Sequence, residues 1–223
     1  MKRFGWMLML MLSVALGLCA QAQETPKDDK KADAPKADAK EVAVIQTSEG
    51  TMVIEFWPEV APKTVENFKK LAREGFYDGT ASHRMIPGFM LQLGDNNTKD
   101  SSKESKYGQG DPGYKIQAEF SDRKHVRGVV SMARNGDPRE RLGEMPRPEY
   151  ANSAGSQFFI CFGPATSLDA RYTAFGKVIR GEDTLAKIEK VPVESNPYSR
   201  EPSKPKKRIA VDSIKIVPAD SVK

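Results

Sequence analysis

The sequence is poor in the residues that most enzyme chemistry uses. Its 223 residues include two cysteines and two histidines, too few soft ligands for a zinc ribbon or a His-rich metal centre and too few thiols for a disulfide framework. Tryptophan is equally scarce. Of two, only Trp57 lies beyond the N-terminal apolar run, so the exposed aromatic platforms of a carbohydrate-binding barrel are missing. That apolar run, residues 6–19, falls short of the ~20 residues that a membrane-spanning helix needs. Nor does one sign of charge dominate, since 35 Lys and Arg against 30 Asp and Glu leave +5. The balance is too diffuse to mark a nucleic-acid partner, and the basic run at 204–208 reads as the solvated flank of a final strand. With 39% hydrophobic residues, one globular domain with polar extensions is expected.

Lys2 and Arg3 precede the apolar run, and Ala20-Gln21-Ala22 puts small residues at the two positions that a signal peptidase reads. This predicts an export signal over residues 1–22, cleaved to leave Gln23 first, and a periplasmic or extracellular protein with no membrane span. Lipidation of Cys19 would instead make a lipoprotein. Leu18 argues against it, because lipoprotein signals usually carry a small residue there. Residues 23–41 have no apolar periodicity and hold five Lys against six Asp and Glu, the pattern of a disordered linker. The folded domain is then residues 42–223, enough for one buried core. Cys161, the thiol left after cleavage, lies in an apolar run and reads as a buried, inert packing residue; neither His83 nor His125 has a thiol-activating context.

Residues 42–46 and 51–56 are β-branched and alternating, with Ser48-Glu49-Gly50 between them as a hairpin signal. Pro62 then suits a first helical turn, Val65, Phe68 and Leu71 recur on one face, and Gly75 supplies a stop. Short strands are predicted at 80–86, 90–93, 129–133, 158–162 and 174–178, a second helix at 183–190, and a last strand at 209–217. Its alternation slips between Val211 and Ile214, which suggests a bulge. Many short strands with two helices favour a mainly β, closed antiparallel barrel over a βαβ sheet.

One apparent motif is misleading. Residues 108–113 spell G-x-G-x-x-G, but the polar segment before them cannot form the buried strand of a dinucleotide fold, and Asp111 would meet the pyrophosphate. A Gly-rich surface loop explains the same residues, and no cofactor is expected.

The informative stretches are residues 83–95, HRMIPGFMLQLGD, and downstream 156–160, SQFFI, followed by Phe175-Gly176-Lys177-Val178. Together with residues 62–68, residues 128–133 and Leu168-Asp169 they resemble, in order, the cyclophilin family of peptidyl-prolyl cis/trans isomerases, over residues 42–217. The resemblance implies an eight-stranded antiparallel barrel capped by two α-helices, with its groove on the outer face. It implies substrates that are proline-containing peptides and, given the export signal, exported proteins during folding.

The residue types suit that chemistry. Rotating an Xaa-Pro bond means losing amide resonance across a barrier of about 18–20 kcal/mol, without a nucleophile or metal. A fixed donor to the prolyl nitrogen as it becomes pyramidal helps the twisted state more than the resting one. Arg84, always charged and planar, is the candidate catalytic residue. By resemblance, Phe89, Met90, Phe159 and Leu168 line the slot for the pyrrolidine ring; read without the family, Phe89 and Phe159 would be core residues. Gln92 and Gln157 share a face with Met90 and Phe159 and can hold substrate backbone. His83 should point to the other face of its strand, as a hydrogen-bonded supporting residue.

Departures from the family pattern are informative too. Arg134 follows Ala133 where an asparagine is usual, in a position whose family contact runs largely through main chain. Ser167 stands where many eukaryotic members carry tryptophan, and Tyr172 replaces a histidine while keeping a ring with a polar tip. Residues 136–150 form an insertion, rich in charge and proline, expected as a surface loop beside the groove. Ala133, Arg134 and Tyr172 join the expected substrate-binding set. A monomer is expected, and the alternative function is a cyclophilin-like chaperone or peptide-binding module with weak isomerase activity.

Overall fold

A computed structural model describes residues 40–141 and 144–222; the expected export signal and all but the end of the linker lie outside the described residues. Lys40 and Glu41 already belong to the fold. The Lys40 carbonyl accepts from the amide of Ala219 at 2.7 Å, and Glu41 opens the first strand.

In chain order the strands are β1 (Glu41–Thr47), β2 (Gly50–Phe56), β3 (Arg84–Ile86), β4 (Met90–Leu93), β5 (Val129–Met132), β6 (Phe158–Cys161), β7 (Ala174–Arg180), β8 (Val193–Ser195), β9 (Pro202–Pro205) and β10 (Val211–Pro218). The helices are α1 (Pro62–Arg73), α2 (Pro148–Ala151) and α3 (Glu182–Glu189). Eight strands form one antiparallel sheet in the order β10-β1-β2-β7-β5-β6-β4-β3, while β8 and β9 make a separate hairpin. The sheet curls strongly. Its edges meet only where Ala81 bridges Ala210, with the amides of Ser82 and Val211 donating to the carbonyls of Ile209 and Thr80 at 3.0 and 2.8 Å. Closure is therefore a short seam and not a full ladder. The slip in the last strand is a bulge at Asp212: Gln46 faces Ser213 while Thr47 faces Val211. Among the described residues no helix is long and apolar enough to cross a membrane.

Proline at the first turn starts α1, and the carboxylate of Glu119 caps it from afar, accepting from the amides of Lys63 and Thr64 at 3.1 and 2.8 Å. Its end is a Schellman turn. Gly75 (φ +69°) takes the left-handed conformation, and the amides of Gly75 and Phe76 donate to the carbonyls of Ala72 and Leu71 at 3.1 and 2.9 Å. The buried face sends Phe68 into the sheet, its ring within 5.1–5.7 Å of the rings of Phe56, Tyr77, Phe158 and Phe175. Truncating such a ring costs about 3–5 kcal/mol. From α3, Leu185 and Ile188 enter the same core.

Alternation separates two apolar clusters. Leu91, Leu93, Val130, Met132, Phe158 and Ile160 point into the curled sheet, whereas Met90, Val129, Phe159 and Cys161 form a second cluster on its outer face. The functional groove lies over that second cluster.

Candidate active site

The register places the site. Across four neighbouring strands Arg84 faces Gln92, Gln92 faces Phe159, and Phe159 faces Ser131, so one row on the outer face runs from a cation through an amide to an aromatic ring. Over it opens a groove of about 260 Å³ lined by Arg84, Phe89, Met90, Gln92, Ala133, Arg134, Phe159, Leu168 and Tyr172. Phe89, Leu168 and Tyr172 pack on the outer cluster, with the Tyr172 ring edge-on to Phe159 at 5.8 Å. Gln157, expected in the same set, lines an adjoining cavity of about 270 Å³ that shares Gln92, Ala133 and Arg134 with the first.

A chain of hydrogen bonds orients the polar end. Nε2 of Gln157 donates to the carbonyls of Gly108 and Gly110 at 3.0 and 2.8 Å, so its oxygen is free to accept from Nε2 of Gln92 at 2.9 Å. The Gln92 oxygen then faces Nη1 of Arg84 at 3.5 Å, the outer limit of a hydrogen bond. The residues that spelled a misleading nucleotide motif thus anchor the groove. Gly110 is required there, because a Cβ would stand 2.0 Å from Oδ1 of Asp95.

The outer edge of Arg84 is occupied. Nε and Nη2 donate to the two carboxylate oxygens of Glu201 at 2.7 and 2.8 Å. Those bonds, chiefly, hold the Glu201 carboxyl below its ordinary pKa. Sequence reasoning missed this residue, and nothing in its local pattern marks it.

The family model for cyclophilin-type peptidyl-prolyl cis-trans isomerases matches residues 42–216. The chain belongs to that family. Among its relatives, a probable peptidyl-prolyl cis-trans isomerase of Brucella abortus (strain 2308) is 39% identical over 175 residues, covering 77% of this chain and 83% of the relative. The human peptidyl-prolyl cis-trans isomerase-like 3 is 40% identical over 156 residues, covering 69% and 85%. A crystal structure of a Cryptosporidium parvum cyclophilin-type isomerase superposes with a TM-score of 0.65 at 30% identity, covering 79% of this chain and 97% of that one. The same parasite protein, solved in the presence of the dipeptide Ala-Pro, gives a TM-score of 0.63 at 29% identity, with 79% and 98% covered.

Around the groove of this isomerase the remaining reactive side chains are buried. Burial pushes the Cys161 thiol up to about 12, as an inert packing residue requires. The His125 ring lies under Phe159, 6.1 Å between centroids, and is held by Asp169 and Ser131 at 3.1 Å each. Burial lowers its pKa against the opposing pull of Asp169. His83 faces away from the groove, along a separate cleft with Tyr107 and Tyr198. It was expected to be hydrogen-bonded, yet its Nδ1 is buried with no partner. Continuing the register in which Arg84 faces Gln92 would set His83 against Leu93, whose side chain offers no polar atom.

Arg134 contributes more than main chain. Its side chain is 2% exposed, and the guanidinium stacks 4.3 Å over the Tyr172 ring and donates to both oxygens of Glu140 at 2.8 and 2.9 Å. Arg171 pairs with the same carboxylate. Burial would raise the Glu140 pKa, but the two guanidinium groups outweigh it and lower it. The insertion is therefore clamped to the groove wall. Asp137 holds its base by accepting from the amide and Nη2 of Arg147 at 3.0 and 2.8 Å, and α2 interrupts the expected loop.

Proposed function

We propose that this isomerase turns Xaa-Pro bonds in exported proteins, as a monomer, with Arg84 as its catalytic residue. The observation that carries the assignment is the row Arg84–Gln92–Phe159, which sets a planar cation beside the apolar side chains of Phe89, Met90, Phe159 and Leu168 in one groove. These four grip the prolyl ring while Gln92 and Gln157 hold the flanking backbone. As the carbonyl before proline rotates, the prolyl nitrogen loses resonance and regains its lone pair. A donor N–H of Arg84 meets that lone pair, an interaction absent from the planar ground state. No bond breaks and no proton moves, which fits a groove around which the histidines and the thiol are all buried. The parasite relative's crystallisation with Ala-Pro supports a prolyl ligand of the same kind here, and Lys2, Arg3 and the 20–22 cleavage site support export.

The test is Arg84→Ala. Loss of a preorganised charged donor should lower kcat by about a hundredfold while peptide affinity changes by less than about threefold. Affinity falling with turnover preserved would contradict the role of Arg84 and make it a residue of peptide binding alone.

A further inference from the structure

We propose that Glu201 is the positioning residue for Arg84: its carboxylate clamps one edge of the guanidinium and so aims the other at the prolyl nitrogen. The inference rests on the reading of Arg84 as the catalytic donor. Nε and Nη2 share one edge of the guanidinium, and Glu201 takes both, one per oxygen, at 2.7 and 2.8 Å. Two of five donors are thereby fixed, and Nη1, on the far edge, is left toward Gln92. Arg84 lines the groove and Glu201 does not, so the carboxylate approaches from behind and leaves the substrate space open.

An arginine stem has many rotamers, and a donor that must meet a lone pair only in the twisted state gains from having one orientation fixed beforehand. Gln92 alone, at 3.5 Å, is too distant to fix it. Glu201 is itself anchored. Its carbonyl accepts from the amide of Asn196 at 2.7 Å, and the carbonyl of Asn196 accepts from the amide of Arg200 at 2.8 Å. The clamp is thus part of the β8–β9 hairpin, and β9 lies against β3, which carries Arg84. Both side chains are 34% exposed. An ion pair so exposed adds little to stability, so its removal acts on orientation and leaves the fold standing. A glutamate is already ionised at neutral pH, and the bonds from Arg84 lower the Glu201 pKa further, so the clamp stays charged into mild acid.

The opposite function is a brake, in which the carboxylate neutralises Arg84 and holds it off the substrate. The two differ in sign. On the full chain with a proline-containing tetrapeptide, Glu201→Ala should lower kcat about tenfold with peptide affinity within about twofold, and Glu201→Gln, which keeps a single acceptor oxygen, should fall between. In the Arg84→Ala background Glu201→Ala should cost nothing further, a coupling that a merely structural role would not produce. Unchanged or faster turnover in Glu201→Ala overturns the proposal, and so does an equal loss with and without Arg84. If Arg84→Ala itself retains full activity, the catalytic reading has failed and the positioning role with it. If Arg84→Ala is inactive and Glu201→Ala is normal, only the positioning role has failed.

Discussion

Both histidines of the domain are buried, and burial holds both below the ordinary imidazole pKa. For His83 it does so down to about 4 from 6.5, against the pull of Asp95 and with help from Arg84. Between those values the unfolded chain binds a proton that the folded one refuses. Stability is therefore complete above pH 6.5 and falls as the pH drops toward 4, by about 3 kcal/mol at most for this group. His83→Gln should remove that share of the acid sensitivity, read as a smaller difference in urea-unfolding free energy between pH 7 and about 4.5. An unchanged difference would mean that other groups carry it. At this scale legibility depended on sequence distance. Met90, Gln92 and Phe159 sit on short alternating strands, so their shared face could be read locally. Glu201 is 117 positions from Arg84 and follows a left-handed Arg200 (φ +60°), a turn without any residue-type signal.

Among the elements, β4 runs over the residues expected, and β5 and β6 stop one short, because apolar residues alternate between two buried faces there. The β8–β9 hairpin went unread: Glu194 and Ser195 are exposed, and Pro202 and Pro205 bound its second strand, leaving no alternation to find and two residues that usually argue against a strand. The insertion was legible as a loop but not as a clamped one, since the Glu140 contacts depend on Arg134 and Arg171 meeting in space. Glu140→Ala would leave the almost fully buried Arg134 without its counter-charge. Breaking such a pair costs about 3 kcal/mol, to be seen as a lower urea midpoint at constant slope. A shift below about 1 kcal/mol would show that the loop releases both arginines to solvent.

For the molecule as a whole, the proposed export is the reading that reaches beyond the described residues. Mass spectrometry of protein from its native host should find Gln23 at the N-terminus; a diacylglyceryl adduct on Cys19 would instead make a tethered lipoprotein, and retention of residues 1–22 in a cytoplasmic fraction would refute export. The curled sheet also has a seam, where the segment before β3 meets the segment before β10, and the contact between Arg84 and Glu201 lies beside it. The seam gives the protein an order of birth. Arg84 leaves the ribosome more than a hundred residues before Glu201, and the stretch that closes the sheet, residues 209–211, comes later still. A nascent chain thus carries its groove residues long before it can hold them in register, and the catalyst is finished only when nearly the last strand has been made.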